Sequence, residues 1–172
     1  MIRPRRVSSR LLGVVLLGLV SSVACVGPAR APWARGLSDE DRSRVFRDLP
    51  EEAAASLLPL SEIFYQRIAS RRFNSRATFE DPSMRQFFPT VAAYSDYYAA
   101  LVDALDRANI QFNRPTRIDL LGIDVSENGT LGLALRFVGP NDLPLRWWNA
   151  TLLRTDQWRW QDGRWWLVPG KV

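Results

Sequence analysis

The chain has 172 residues, with 23 Lys plus Arg against 18 Asp plus Glu, one Cys, seven Trp and no His. At roughly 100 to 200 residues per domain this is one unit, and 47% apolar residues with 11% aromatics suffice for a packed core. One Cys excludes an intramolecular disulfide and a Cys zinc cluster, and the missing His removes imidazole bases, Ser-His and Cys-His pairs and nitrogen metal ligands, so no metal, cofactor or catalytic residue is assigned.

The formal charge of +5 is unevenly placed. Arg3, Arg5, Arg6 and Arg10 precede an uncharged run of 14 residues, Leu11 to Ala24, and every acid follows residue 38. Without residues 1–24 the balance is 19 basic against 18 acidic, a net of +1, which removes the case for nucleic acid. A basic start, an apolar run and then small residues have the layout of a secretory signal, and the run falls short of the roughly 20 residues a membrane-spanning helix needs. At its end, Ser22-Val23-Ala24-Cys25 resembles a bacterial lipobox, with Ser22 where that family usually carries Leu. The resemblance implies cleavage between Ala24 and Cys25 and attachment of lipid, palmitate included, to Cys25 as the mature N-terminus. Val26, in place of the Asp that retains such proteins in the inner membrane, implies an outer membrane lipoprotein facing the periplasm. The alternative is ordinary secretory cleavage after Ala29-Arg30-Ala31, which leaves Pro32 after the cut, where that family disfavours it. Several acyl chains on one Cys anchor stably where a single chain, at about 0.8 kcal/mol per buried methylene, holds marginally.

Residues 25–37 contain Gly27, Pro28, Pro32 and Gly36 and read as lipid attachment and tether, leaving 38–172 as a single α+β domain. Ser38 and Asp41 suggest a capping box for a short helix to Asp48, which Pro50 ends. A second helix is predicted over 51–72, with Leu57, Leu60, Ile63, Phe64 and Ile68 on its apolar stripe and a kink or restart at Pro59. Asp81-Pro82 is an N-cap followed by Pro at the first helical position, opening a third helix that ends before Pro89. The strongest periodicity runs from Thr90 to Asn109 and places Val91, Tyr94, Tyr98, Leu101, Leu105 and Ala108 on one stripe.

After Pro115 the period falls to two, and strands follow. A three-residue loop, Glu127 to Gly129 with Gly129 left-handed, pairs Val125 with Leu131, Ile123 with Leu133 and Leu121 with Leu135; a two-residue loop would separate the apolar rows. Gly139 to Asp142 turns the chain, and Leu143 to Asp156 is predicted as a bent strand. Asp162-Gly163 closes a two-residue hairpin in which Trp160 faces Trp165 and Trp158 faces Leu167. On the other face Arg159 opposes Trp166 in a cation-π arrangement.

Six Trp lie between residues 147 and 166. Consecutive pairs on a strand point to opposite faces, so Trp147-Trp148 and Trp165-Trp166 make both faces of the sheet aromatic. Three readings of the outer face stay open: shielding by the stems of Arg146, Arg154 and Arg159, a homodimer or envelope-protein interface, or stacking on a sugar or a flat ligand. Trp147, Trp148, Trp166 and Arg159 are the candidate binding residues. For acid-base work only carboxylates remain, and Asp96, Asp119 and Asp124 are the candidates, with Tyr65, Tyr94, Tyr97 and Tyr98 as hydroxyl donors; none has a catalytic spacing. The basic cluster Arg71-Arg72-Phe73 to Arg76 is followed directly by Glu80 and Asp81, which argues against nucleic acid.

Helices first, then an antiparallel sheet ending in Trp158-Arg-Trp160-Gln-Asp-Gly163-Arg-Trp165-Trp166, is similar to the nuclear transport factor 2-like fold and its SnoaL-like branch over roughly residues 51 to 169. The resemblance implies a cone of helices against a curved sheet. It also implies either an isomerase or dehydratase with a pocket Asp or His and Tyr, which do not align here, or a non-catalytic binding or assembly domain. The expected function is therefore an envelope lipoprotein, anchored to the membrane, that binds a partner protein or small apolar ligand without catalysis. A small pocket enzyme using Asp and Tyr, and a carbohydrate-contacting envelope protein, are the alternatives.

Overall fold

Helix starts fall where side chains close open backbone N–H groups. In the computed structural model, which describes residues 32–34, 36–70, 75–126 and 129–170, Ser38 Oγ accepts from the Asp41 N–H at 3.0 Å to open α1 (Asp39–Phe46). Thr90 Oγ1 accepts from Ala93 N–H at 3.1 Å to open α5 (Val91–Arg107). Asp81 caps α4 (Pro82–Arg85) through Ser83 N–H, with Pro82 at the first position. The unexpected element is α3 (Arg76–Glu80), one short turn closed by an Arg76–Glu80 ion pair at 3.0 Å. Residues Arg71 to Asn74 of the basic cluster lie outside the described residues.

Helix α2 (Glu51–Ser70) does not restart at Pro59. Pro59 and Ala55, whose carbonyl loses its partner, are both exposed, so the missing bond falls on the solvent side of the helix and not in the core. Its buried stripe is Ala53, Leu57, Ser61, Phe64, Tyr65 and Ile68, whereas Ile63 is largely exposed. On α5 the stripe is likewise turned by one position: Tyr97 is buried with Tyr94, Leu101 and Leu105, and Tyr98 is only half-buried.

The sheet is a four-stranded antiparallel meander of β1 (Arg117–Val125), β2 (Thr130–Pro140), β3 (Asn149–Gln161) and β4 (Arg164–Val168). Val125 faces Leu131 and Ile123 faces Leu133, and Gly129 is left-handed at φ 68°, as the three-residue loop requires. Beyond Ile123 the expected register fails. A bulge between Leu120 and Gly122 brings Leu120, not Leu121, opposite Leu135, and turns Leu121 to solvent. A glycine inside a strand is the usual mark of such a bulge. The second hairpin has the expected register, Trp160 with Trp165 and Trp158 with Leu167, with Asp162 and Gly163 both at positive φ.

The predicted strand over 143–156 begins only at Asn149. Pro144 and the left-handed Leu145 break extension, and Leu143 to Trp148 form a loop that is exposed from Pro144 onward. Aromatic cover is thus confined largely to the inner face, where Phe137, Trp158 and Trp165 are buried and Trp160 is half-buried. Phe64 of α2 is the hub of the core, 4.9 Å from the Phe87 ring, 5.6 Å from Tyr97 and 5.8 Å from Trp158. Trp165 Nε1 donates to the Ala53 carbonyl at 3.0 Å, fixing α2 on the sheet.

The packed unit also starts earlier than Ser38. Pro32–Ala34 form a turn of 3-10 helix, Ala34 and Leu37 are buried, and the Trp33 ring lies 5.5 Å from that of Tyr65. The segment predicted as a signal, with Ala24 and Cys25, lies outside the described residues. Among the described residues no helix is long and apolar enough to cross a membrane.

Candidate functional site

Strand alternation places Arg154, Asp156 and Trp158 of β3 on the helix-facing side. Asp156 is 3% exposed, so its carboxylate must be hydrogen-bonded to be tolerated there. Tyr65 of α2 donates its hydroxyl to Asp156 Oδ2 at 2.9 Å, and Tyr97 of α5 donates to the same oxygen at 2.6 Å. Arg154 Nε donates to Oδ1 at 2.6 Å. Trp158 Nε1 donates to the Tyr65 oxygen at 3.2 Å, and the Arg154 guanidinium lies 5.0 Å from the centroid of the Tyr97 ring. Two helices and a strand meet at one carboxylate.

Burial, and then the neighbouring Asp156 charge, push the hydroxyls of Tyr65 and Tyr97 well above their ordinary range. Burial acts on Arg154 in the opposite sense to its neighbours, but Asp156 and the two tyrosines outweigh it and hold the guanidinium above its ordinary value. At neutral pH both tyrosines are therefore neutral donors and Arg154 a cation. The cluster is set up to hold charge, with no hydroxyl poised to remove a proton.

Tyr65 also forms part of a surface cleft of ≈ 330 Å³ between α2 and the start of β1. Its apolar lining comes from Trp33, Tyr65, Ala69 and Ile118, and Glu62 and Arg117 stand among its polar groups. The Trp33 Nε1–H is buried and has no hydrogen-bond partner. Neither Asp156 nor Tyr97 lines this cleft.

The carboxylates singled out in the sequence lie elsewhere. Asp96 and Asp124 are exposed, and Asp119, at the rim of the cleft, is held by Arg117 at 3.2 Å and Arg136 at 2.9 Å. Among the described residues no group of three or more His, Cys, Asp or Glu could hold a metal. Of the four candidate phenols, Tyr65 and Tyr97 are brought together and Tyr98 is not. Asp156 was missed, although a signal was present: it shares strand parity with Trp158 and Trp160, which the predicted hairpin places on one face with Trp165 and Leu167.

The four candidate binding residues do not form one surface. Trp147 and Trp148 are exposed in the β2–β3 loop with their rings edge-to-face at 82°. Arg159 and Trp166 pair across β3 and β4, near the opposite end of the sheet. Ten positions of strand from Asn149 to Arg159 span about 33 Å. The cation over the Trp166 ring is Arg164, at 5.3 Å, and not Arg159. Arg164 follows the turn and shares the outer face with Trp166, which leaves Arg159 exposed.

No family model, curated protein or solved structure matches the chain.

Proposed function

We propose that the chain is an envelope lipoprotein, cleaved after Ala24 and acylated on Cys25, whose domain of the nuclear transport factor 2-like kind binds a small apolar ligand without catalysis. The observation that carries this reading is the closure of the Asp156 cluster: both carboxylate oxygens are engaged by Arg154, Tyr65 and Tyr97, and Asp156 does not line the cleft beside Tyr65. A general base needs a free oxygen facing the substrate. The cleft beside Trp33 and Tyr65 is at the lower end of the size range of small-molecule sites, and its lining is more apolar than polar. The periplasmic face of the outer membrane is the address that goes with the lipobox and Val26.

The test is binding of a fluorescent naphthylamine probe to the purified protein. Wild type binds, and Ala69→Trp, which fills the cleft, loses binding at least tenfold with an unchanged melting temperature. Equal binding by the two proteins would remove the cleft as the ligand site.

One observation favours the enzyme reading, an isomerase or dehydratase: Tyr65 both lines the cleft and donates to Asp156. Proton exchange into an enolisable ketone, present in wild type and lost in Tyr65→Phe, would establish it over the binding reading. The carbohydrate reading needs coplanar exposed indoles, and the 82° angle between Trp147 and Trp148 disfavours a stacking platform.

A further inference from the structure

We infer that the β2–β3 loop is a second membrane contact, inserting Leu145 and Trp147 into the headgroup boundary of the bilayer to which Cys25 is attached. The inference rests on the lipoprotein reading above.

The loop projects apolar groups without a folding reason. Leu145 is 98% exposed, Trp147 92% and Trp148 51%. Leu145 also holds a left-handed backbone at φ 64°, a conformation that Gly or Asn adopts more readily. Strain retained at an exposed leucine is a sign of use elsewhere than in the fold. Phe112, 66% exposed, belongs to the same end of the molecule: it shares a shallow pocket with Pro140, and its neighbour Ile110 bridges to Asn141.

The charges suit lipid phosphates. Arg146 lies over the Trp148 ring at 5.7 Å, Arg114 is exposed at the same end, Arg117 there is paired with Asp119, and Asp142 is the one acid between Asn141 and Trp148. Trp and Arg together are the side chains that favour the membrane–water boundary, apolar at one end and polar at the other.

The position of the anchor decides between lipid and a protein partner. Arg117, Val138 and Thr151 are aligned across β1, β2 and β3, so the loop between β2 and β3 extends from the end of the sheet where β1 begins. Trp33 lines the cleft with Thr116, Arg117 and Ile118 at that same end. Eight positions separate Cys25 from Trp33, a reach of at most about 28 Å. Acyl chains on Cys25 would therefore tether the domain to the bilayer from this end, and not from the Asp162 hairpin. Three or four side chains are too few for the roughly 800 Å² per partner of a stable protein interface. They are enough for a shallow insertion of about 5–10 Å once the anchor has made the contact intramolecular.

The experiment uses the mature acylated protein. Acylation leaves Cys25 without a free thiol, so Leu145→Cys carries the single reactive thiol, labelled with nitrobenzoxadiazole; Asp162→Cys at the far hairpin is the reference. Both are reconstituted on vesicles of phosphatidylethanolamine and phosphatidylglycerol bearing headgroup nitroxides. The expected result is a blue-shifted label at 145, quenched several-fold more than at 162, with the difference lost in Trp147→Ser at an unchanged melting temperature. Equal quenching at the two positions on acylated protein would overturn the loop contact alone. Shielding of position 145 in intact envelopes but not on vesicles would point to a protein partner and overturn it too. A mature chain lacking acyl mass overturns the anchoring reading and this inference with it, and is seen in the intact mass before any vesicle is used.

Discussion

Tyr97 of α5 and Asp156 of β3, 59 positions apart in the chain, are joined by a buried hydrogen bond of 2.6 Å. With Tyr65 on the same oxygen and Arg154 on the other, this bond ties the two long helices to the longest strand at one point. Hydrogen bonds to a charged group are worth about 1.5–3 kcal/mol each, and removing the acceptor leaves the two tyrosine donors buried and unpaired and the half-buried Arg154 without its partner.

Asp156→Ala should therefore cost about 3–5 kcal/mol, because Arg154 loses its partner in the interior. Asp156→Asn, which keeps an oxygen, should cost less, on the order of 1–3 kcal/mol. Urea denaturation of the two variants beside wild type checks both the size and the order.

The same cluster makes stability fall in alkali. Tyr65 and Tyr97 ionise in the unfolded chain near their ordinary 10.0 but only well above it when folded, so the folded state keeps its protons longer. Stability from this source is complete below pH 10 and is lost as the pH rises beyond it. In an alkaline titration these two phenols should ionise together with loss of the near-ultraviolet circular dichroism signal, and not before it.

Gly139 of β2 has no room for a side chain: a Cβ there would meet Ile110 Cγ2 at 2.7 Å and the Arg114 carbonyl at 3.2 Å. Gly139→Ala should destabilise by about 1–3 kcal/mol through overpacking. A thermal melt of this variant, with Gly170→Ala in open space as its control, measures the difference.

Leu145→Gly should act in the opposite direction. Releasing a left-handed non-glycine residue returns about 1–2 kcal/mol, and the added freedom of Gly in the unfolded chain removes about 0.5–1 kcal/mol of it. A net gain of up to about 1.5 kcal/mol in thermal or urea unfolding is expected, since no native packing is lost at a side chain 98% exposed.

Local chemistry made much of this legible in the sequence. Ser38, Asp81-Pro82 and Thr90 announce helix starts through their own side chains, and Gly129 and Asp162-Gly163 set hairpin registers through their backbone freedom. What failed depended on the third dimension. The bulge at Leu121-Gly122 shifts one strand by a residue, a displacement that apolar alternation does not encode when Leu120 and Leu121 are both apolar. Trp147-Trp148 reads as strand by composition, but Pro144 and Leu145 keep it in a loop. Tyr97 and Tyr98 are adjacent on a helix, and only packing decides which of them reaches Asp156. Asp156 itself looks like one polar residue in an alternating strand until the facing hydroxyls from α2 and α5 are in place.

Anchoring through Cys25 is most directly tested by the intact mass and N-terminal residue of the mature protein extracted from membranes of an expressing bacterium, compared with Cys25→Ser. The expected result is an N-terminal Cys25 carrying the mass of two or three acyl chains, with the Cys25→Ser chain unacylated and released from the membrane fraction. An unmodified mature chain beginning at Pro32, with the same distribution for both proteins, would contradict it.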